Sequence, residues 1–144
     1  MKEIYTEIEI QASDDKVWRI LTDFKSYPLW NPFIRKASGN IKLGDKLQII
    51  LQPPGSAKMS FSPTVIKLED KRELRWLGHL LIPGLFDGEH IFVIEQMKSN
   101  QVKFIQREIF KGLLVPLFAG KLDLGTKNGF MEMNIALKKQ AEQT

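Results

Sequence analysis

Between Ile34 and Gly112, turn-forming residues recur at roughly ten-residue intervals: Gly44-Asp45, Pro53-Pro54-Gly55, Glu69-Asp70-Lys71, Pro83-Gly84 and Ser99-Asn100. No helical stretch lies between them. Such spacing accommodates only short strands with short connections, and since parallel neighbours need long crossovers, the strands are expected to be antiparallel. Ahead of this meander, residues 2–11 alternate with period two, Ile4, Thr6, Ile8 and Ile10 on one face and Glu3, Tyr5, Glu7 and Glu9 on the other, which predicts a half-buried strand. Ser13 follows as an N-cap with Asp14 and Asp15 in the first turn, and Val17, Ile20, Leu21 and Phe24 recur at helical spacing. Pro28 and Pro32 then break the chain into a helical turn and loop over Lys25 to Phe33.

After Gly112 the period changes again. Leu114, Phe118, Leu122, Phe130, Met133 and Leu137 fall near one helical face, predicting a long C-terminal helix. Gly120, Gly125 and Gly129 lie within it, each costing about 1 kcal/mol relative to Ala. Either the helix begins late, near Lys121, or the glycines admit other backbone or a ligand.

A chain of 144 residues has the size of one domain, and no internal boundary is visible, so residues 1–144 are read as a single unit. The absence of cysteine excludes disulfides, thiolate catalysis and Cys-ligated metals. Lys and Arg number 21 against 17 Asp and Glu, but they stand singly or in pairs such as Lys71-Arg72 and Lys138-Lys139, so nucleic-acid binding is not expected. No apolar run approaches a membrane span, and the first residues carry no signal-peptide core, which places the expected location in the cytoplasm. Phosphate-cradling, dinucleotide-binding and Gly-x-Ser-x-Gly patterns are lacking, and no cofactor is expected.

The order strand, helical pair, six antiparallel strands and long helix resembles that of the START-like, or helix-grip, superfamily (SRPBCC), which includes Bet v 1 and the polyketide cyclase/dehydrase proteins. Local segments carry the likeness further. Val17-Trp18-Arg19-Ile20-Leu21-Thr22-Asp23-Phe24 followed by Tyr27-Pro28-Leu29-Trp30-Asn31-Pro32-Phe33 is similar to the helix and loop of that family. So are Arg72-Glu73-Leu74-Arg75-Trp76-Leu77-Gly78, Phe86-Asp87-Gly88-Glu89-His90-Ile91-Phe92 and Glu108-Ile109-Phe110-Lys111-Gly112-Leu113-Leu114. The resemblance implies an α+β helix-grip fold, a seven-stranded curved antiparallel sheet wrapped around the C-terminal helix with two short helices between strands one and two. It also implies an apolar pocket between sheet and helix. Function differs widely across the superfamily, so it must be argued from the site.

Alternation assigns the inner wall, because residues two apart share a face. The expected lining is Leu47, Ile49 and Leu51; Met59, Phe61, Pro63 and Val65; Leu74 and Trp76; Phe92 and Ile94; Phe104 and Phe110, with Phe130 and Met133 from the helix and Trp30 from the loop. Two polar residues share that face, His90 and Glu108. A three-residue hairpin loop of Lys98, Ser99 and Asn100 would set His90 opposite Glu108 and Phe92 opposite Gln106. A buried imidazole beside a carboxylate would be oriented and made more basic, as a general acid–base for enolisation or dehydration requires. The same two residues would equally serve to satisfy each other. His79 points away from Trp76 by parity, so no metal site is expected.

His90, Glu108, Gln106 and Arg107 are the polar groups on offer, a short set that favours a binding protein over an enzyme. The expected partner is a small or medium apolar molecule: a lipid, an isoprenoid, an aromatic or a polyketide-like compound. The alternatives are a cyclase/dehydratase using His90 and Glu108, and an interaction module whose cavity is filled by its own side chains. Two apolar segments, Leu80 to Phe86 and Leu113 to Phe118, would flank the cavity entrance in a helix-grip fold. Ile82 to Phe86 are expected to act as a gate or to touch a membrane transiently, and Leu113 to Phe118 to pack against the other segment.

Overall fold

In the computed structural model, which describes residues 1–80 and 82–143, β1 (Lys2–Ile10) occupies the alternating segment. Ile4, Thr6 and Ile10 face inward from it. α1 (Asp14–Thr22) starts where Ser13 caps it, the hydroxyl accepting from the Lys16 amide at 3.2 Å, and it buries Val17, Trp18 and Leu21. A 3₁₀ turn (Phe24–Ser26) and the four-residue α2 (Tyr27–Trp30) carry the chain to Asn31, whose Oδ1 accepts from the amides of Phe33 and Ile34 at 3.0 and 2.9 Å.

Among the described residues, eight strands follow the antiparallel expectation but divide into two sheets. β1, β5 (Thr64–Glu69), β6 (Glu73–Leu80), β7 (Phe86–Lys98) and β8 (Gln101–Lys111) form one sheet, in the order β1-β8-β7-β6-β5. β2 (Ile34–Ser38), β3 (Gln48–Leu51) and β4 (Met59–Phe61) form the other, in sequence order. The expected single seven-stranded sheet is thus corrected to five strands plus three. Pro63 is the physical reason: it has no N–H to give a ladder, and it splits the segment Met59 to Val65 so that β4 joins the small sheet and β5 the large one.

The β7–β8 hairpin has the pairing read from the sequence, His90 opposite Glu108 and Phe92 opposite Gln106. Its loop differs. Ser99-Asn100 forms a two-residue turn closed by Lys98 and Gln101, and a bulge between Gln96 and Lys98 then restores the register that keeps apolar residues inside.

The C-terminal helix is continuous but uneven. α3 (Val115–Lys121) passes through a π-helical turn (Leu122–Thr126) into α4 (Lys127–Glu142), which buries Phe130, Met133, Asn134, Leu137 and Ala141. It therefore begins before Lys121, and of the two readings for the glycines, close approach holds at Gly129. A Cβ there would collide with the ring of Phe33, itself buried and edge-on to Phe130 at 5.5 Å. Open space surrounds Gly120 instead.

These surroundings predict opposite effects for one substitution. Gly129→Ala will destabilise by about 1–3 kcal/mol through overpacking against Phe33, while Gly120→Ala will stabilise by up to about 1 kcal/mol through helix propensity. Urea unfolding midpoints at constant slope will read both.

Candidate functional site

Antiparallel pairing lines up inner-face residues in rows across the large sheet. One row runs Val65, Trp76, His90, Glu108, Ile4, and the next runs Leu74, Phe92, Gln106, Thr6. Because the rows are adjacent and α4 lies over them, polar atoms from three strands and the helix meet inside an apolar core.

His90 is 1% exposed. Its Nε2 lies 2.9 Å from Oε1 of Gln106, whose own Nε2 donates to Oδ1 of Asn134 at 2.8 Å and reaches the Phe130 carbonyl at 3.5 Å. Nδ2 of Asn134 donates to the Thr6 hydroxyl at 2.9 Å, and that hydroxyl donates to the Gln106 carbonyl at 2.7 Å. Four buried side chains thus satisfy one another across β1, β7, β8 and α4.

On the other side of the imidazole, Nδ1 is 3.7 Å from Oε1 of Glu108, too far for a direct hydrogen bond. The Glu108 side chain retains 13% of its exposure. It occupies space left by Gly88, where a Cβ would collide with Oε2. Trp76, paired with His90 on the opposite strand, has a buried indole N–H with no partner. One row therefore carries three neighbouring groups with unmet hydrogen-bonding capacity: an indole donor, an imidazole nitrogen and a carboxyl.

Burial pushes the His90 imidazole down to about 4, only partly opposed by its hydrogen bond to Gln106. Burial pushes the Glu108 carboxyl up to about 8. Near neutral pH both are uncharged. This corrects the expectation of a more basic imidazole: the carboxylate that would have raised it is itself protonated.

The apolar wall mostly stands where parity assigned it. Leu47, Ile49, Val65, Phe92, Phe104, Phe110, Phe130 and Met133 are buried, and Phe61 is partly buried against the same core. Trp30 is partly buried too, its ring edge-on to Tyr27 at 5.3 Å. Met59 is the exception: it opens β4, the outer strand of the small sheet, and is 53% exposed.

The space between sheet and helix is occupied by the protein's own rings. Those of Phe92, Phe130 and Trp76 lie 4.5, 4.9 and 5.2 Å from the His90 ring. A surface cleft of about 410 Å³ bounded by Pro32, Arg35, Pro53 and Glu132 lies outside this cluster. His79 faces away, as parity indicated, with Nδ1 2.7 Å from Asp87 Oδ1. Among the described residues no three His, Asp or Glu side chains gather as a metal site.

Along β7 from His90 toward Gly88 and Phe86, the two apolar segments meet. The amides of Leu113 and Leu114 donate to the carbonyls of Gly84 and Leu85 at 3.2 and 2.9 Å, and Phe86 packs on Phe110 and Phe118 at 5.6 and 5.7 Å between ring centres. The expected packing of Leu113 to Phe118 on the other segment is seen in these contacts, although Ile82, Leu113, Leu117 and Phe118 keep exposed surface. Leu81, within the first segment, lies outside the described residues. No helix among the described residues is long and apolar enough to cross a membrane.

Sequence reasoning missed Thr6 and Asn134. Both carried a signal, since each is a polar residue at a position of apolar periodicity: Thr6 among Ile4, Ile8 and Ile10, and Asn134 one turn after Phe130.

Comparison with known proteins gives this arrangement a setting. The family described as polyketide cyclase / dehydrase and lipid transport matches residues 1–114. A START superfamily protein from Mycobacterium smegmatis superposes with a TM-score of 0.71 at 18% identity, covering 98% of this chain and 97% of that one. The Zhui aromatase/cyclase from a Streptomyces gives 0.75 at 13% identity, covering 98% and 93%. Norcoclaurine synthase from Thalictrum flavum, solved as a point mutant with a transition-state analogue, gives 0.74 at 15% identity, covering 97% and 93%. At these identities the likeness is one of fold, and no curated protein sequence matches significantly. A family match that runs unbroken from β1 through β8, on a fold whose sheet grips the C-terminal helix, makes this chain a member of the polyketide cyclase/dehydrase and lipid transport family.

Proposed function

We propose that the protein encloses a small or medium, uncharged apolar molecule, such as a lipid, an isoprenoid, an aromatic or a polyketide-like compound, between the large sheet and the C-terminal helix. The observation that carries this reading is the row Trp76, His90, Glu108. Buried polar groups are ordinarily satisfied, yet here a buried indole N–H has no partner and the imidazole and carboxyl stand 3.7 Å apart. A ligand's polar end would meet all three, while its apolar body would displace Phe92 and Phe130 from the His90 ring. Opening falls to the end where Gly84 and Leu85 hold Leu113 and Leu114 by two backbone hydrogen bonds. Apolar burial supplies the affinity, and the neutral states of His90 and Glu108 favour an uncharged ligand.

A second reading is supported by the same pair. A neutral imidazole with a free nitrogen beside a protonated carboxyl is a base and an acid in one site, suited to moving a proton next to a carbonyl, as in cyclisation or dehydration. The aromatase/cyclase among the structural neighbours is in keeping with this chemistry.

Native mass spectrometry after incubation with a small-molecule extract of the host will show an apolar adduct, identified after organic extraction. A repeatedly bare mass would overturn the binding reading and favour a self-filled interaction module. If the protein is an enzyme, His90→Ala will abolish conversion of the identified ligand, a loss far larger than the accompanying loss of affinity; full turnover in that variant would remove His90 from the mechanism.

The protonation states have a further consequence, read without any ligand. A carboxyl raised to about 8 stabilises the fold at low pH and loses that contribution as pH rises from its unfolded value near 4.5 through 8. An imidazole lowered to about 4 does the reverse, contributing above 6.5 and losing it as pH falls toward 4. Between pH 6.5 and 8 Glu108 dominates, so the wild type will lose about 1–2 kcal/mol as pH rises across that window. Glu108→Gln will show little slope in denaturant titrations over the same range.

A further inference from the structure

The hydrogen bonds around His90 run in one direction, and that direction is imposed from their far end. The Thr6 hydroxyl oxygen lies 2.7 Å from the Gln106 carbonyl oxygen, and since a carbonyl has no hydrogen, the hydroxyl hydrogen must lie between them. Thr6 Oγ1 can then only accept from Asn134, 2.9 Å away, so Asn134 must present its NH₂ there. Its Oδ1 consequently faces Gln106, which must answer with its own NH₂ at 2.8 Å; the Phe130 carbonyl at 3.5 Å demands the same orientation. Oε1 of Gln106 is left facing His90, and at 2.9 Å the imidazole must donate from Nε2. In a neutral ring the remaining nitrogen, Nδ1, is a lone-pair acceptor. It is the nitrogen on the Glu108 side.

We propose that Thr6 and Asn134 are positioning residues that, through Gln106, hold His90 as the Nε2–H tautomer, so that Nδ1 and the Glu108 carboxyl together receive a hydroxyl group of the ligand. A hydroxyl donates to Nδ1 and accepts from the carboxyl, which burial keeps protonated. An ether or an ester of the same shape can only accept, and it leaves the ring nitrogen unpaired in an apolar interior. The hydroxyl assignment rests on the ligand-binding reading above, whereas the tautomer is a property of the protein alone.

Long-range ¹H–¹⁵N correlation of the labelled protein near neutral pH reads the tautomer directly, with His79→Asn assigning the two histidines. The wild type and Thr6→Ser will show His90 protonated at Nε2 alone, with Nδ1 at the shift of an unprotonated nitrogen. Thr6→Val removes the hydroxyl and leaves only the long 3.5 Å contact to the Phe130 carbonyl to orient Gln106, so the amides can invert and the Nδ1–H form becomes populated, drawing the two nitrogen shifts together. Asn134→Ala repeats the test at the next link if Thr6→Val fails to fold. An Nδ1–H wild type, or a folded variant that keeps the pure Nε2–H signature, would overturn the relay. For the ligand, 2-naphthol and 2-methoxynaphthalene are the probes: the first will bind roughly tenfold more tightly to the wild type, and the gap will narrow in Thr6→Val. Equal affinities would overturn the hydroxyl assignment. Binding of neither probe would count against both the hydroxyl assignment and the ligand-binding reading, and the tautomer would still be decided by the spectrum.

Discussion

The side-chain amide of Gln106 joins what apolar packing alone would leave free to slide. It accepts from His90 on β7, donates to Asn134 on α4, and its backbone carbonyl receives the Thr6 hydroxyl from β1. Apolar contact between a helix and a sheet is tolerant of small shifts, because hydrophobic burial has no direction. Hydrogen bonds in a low-dielectric interior have both direction and a high cost of being left unmade. One residue therefore sets the helix's position along the sheet and the orientation of the imidazole between them.

Everything chemically notable at the site follows from how that imidazole is held. Its Nε2 is committed to Gln106, so only Nδ1 faces the neighbouring row position, where Glu108 fits because Gly88 has no side chain. Burial acts on the two groups in opposite directions, lowering one and raising the other, and both end uncharged. Two groups that would form an ion pair in water thus become a neutral base and a neutral acid in the core. The packing of Trp76, Phe92 and Phe130 around the imidazole maintains that environment by excluding water.

The unevenness of the C-terminal helix belongs to the same design. Gly129 lets α4 approach the Phe33 ring closely enough for Asn134, farther along, to reach Gln106 and Thr6. The π-helical turn separates this anchored part from α3, whose preceding residues Leu113 and Leu114 are fastened to the β6–β7 loop by backbone bonds and whose Phe118 packs on Phe86. The anchored half holds the polar network, and the other half covers the end of the sheet at Phe86 and Phe110.

The strand pattern, the antiparallel pairing and the side of the sheet on which each residue stands were legible from the sequence, because period two and short turns leave few alternatives. His90 opposite Glu108 and the burial of Phe92, Phe104 and Phe110 follow from that local geometry. The division into two sheets was marked at Pro63 but needed the fold to show where each half went. The exposure of Met59 was beyond reach, since alternation says which side a residue faces and not whether another element covers it there. The meeting of Thr6, Gln106 and Asn134 was beyond reach for the same reason: they come from the first strand, the last strand and the final helix, and only tertiary packing brings such distant segments within hydrogen-bonding distance. The protonation of His90 and Glu108 belongs to that second class as well. Residue type and pairing bring the two groups together, but desolvation by the surrounding core decides their charge, and it exists only once the chain has closed around them.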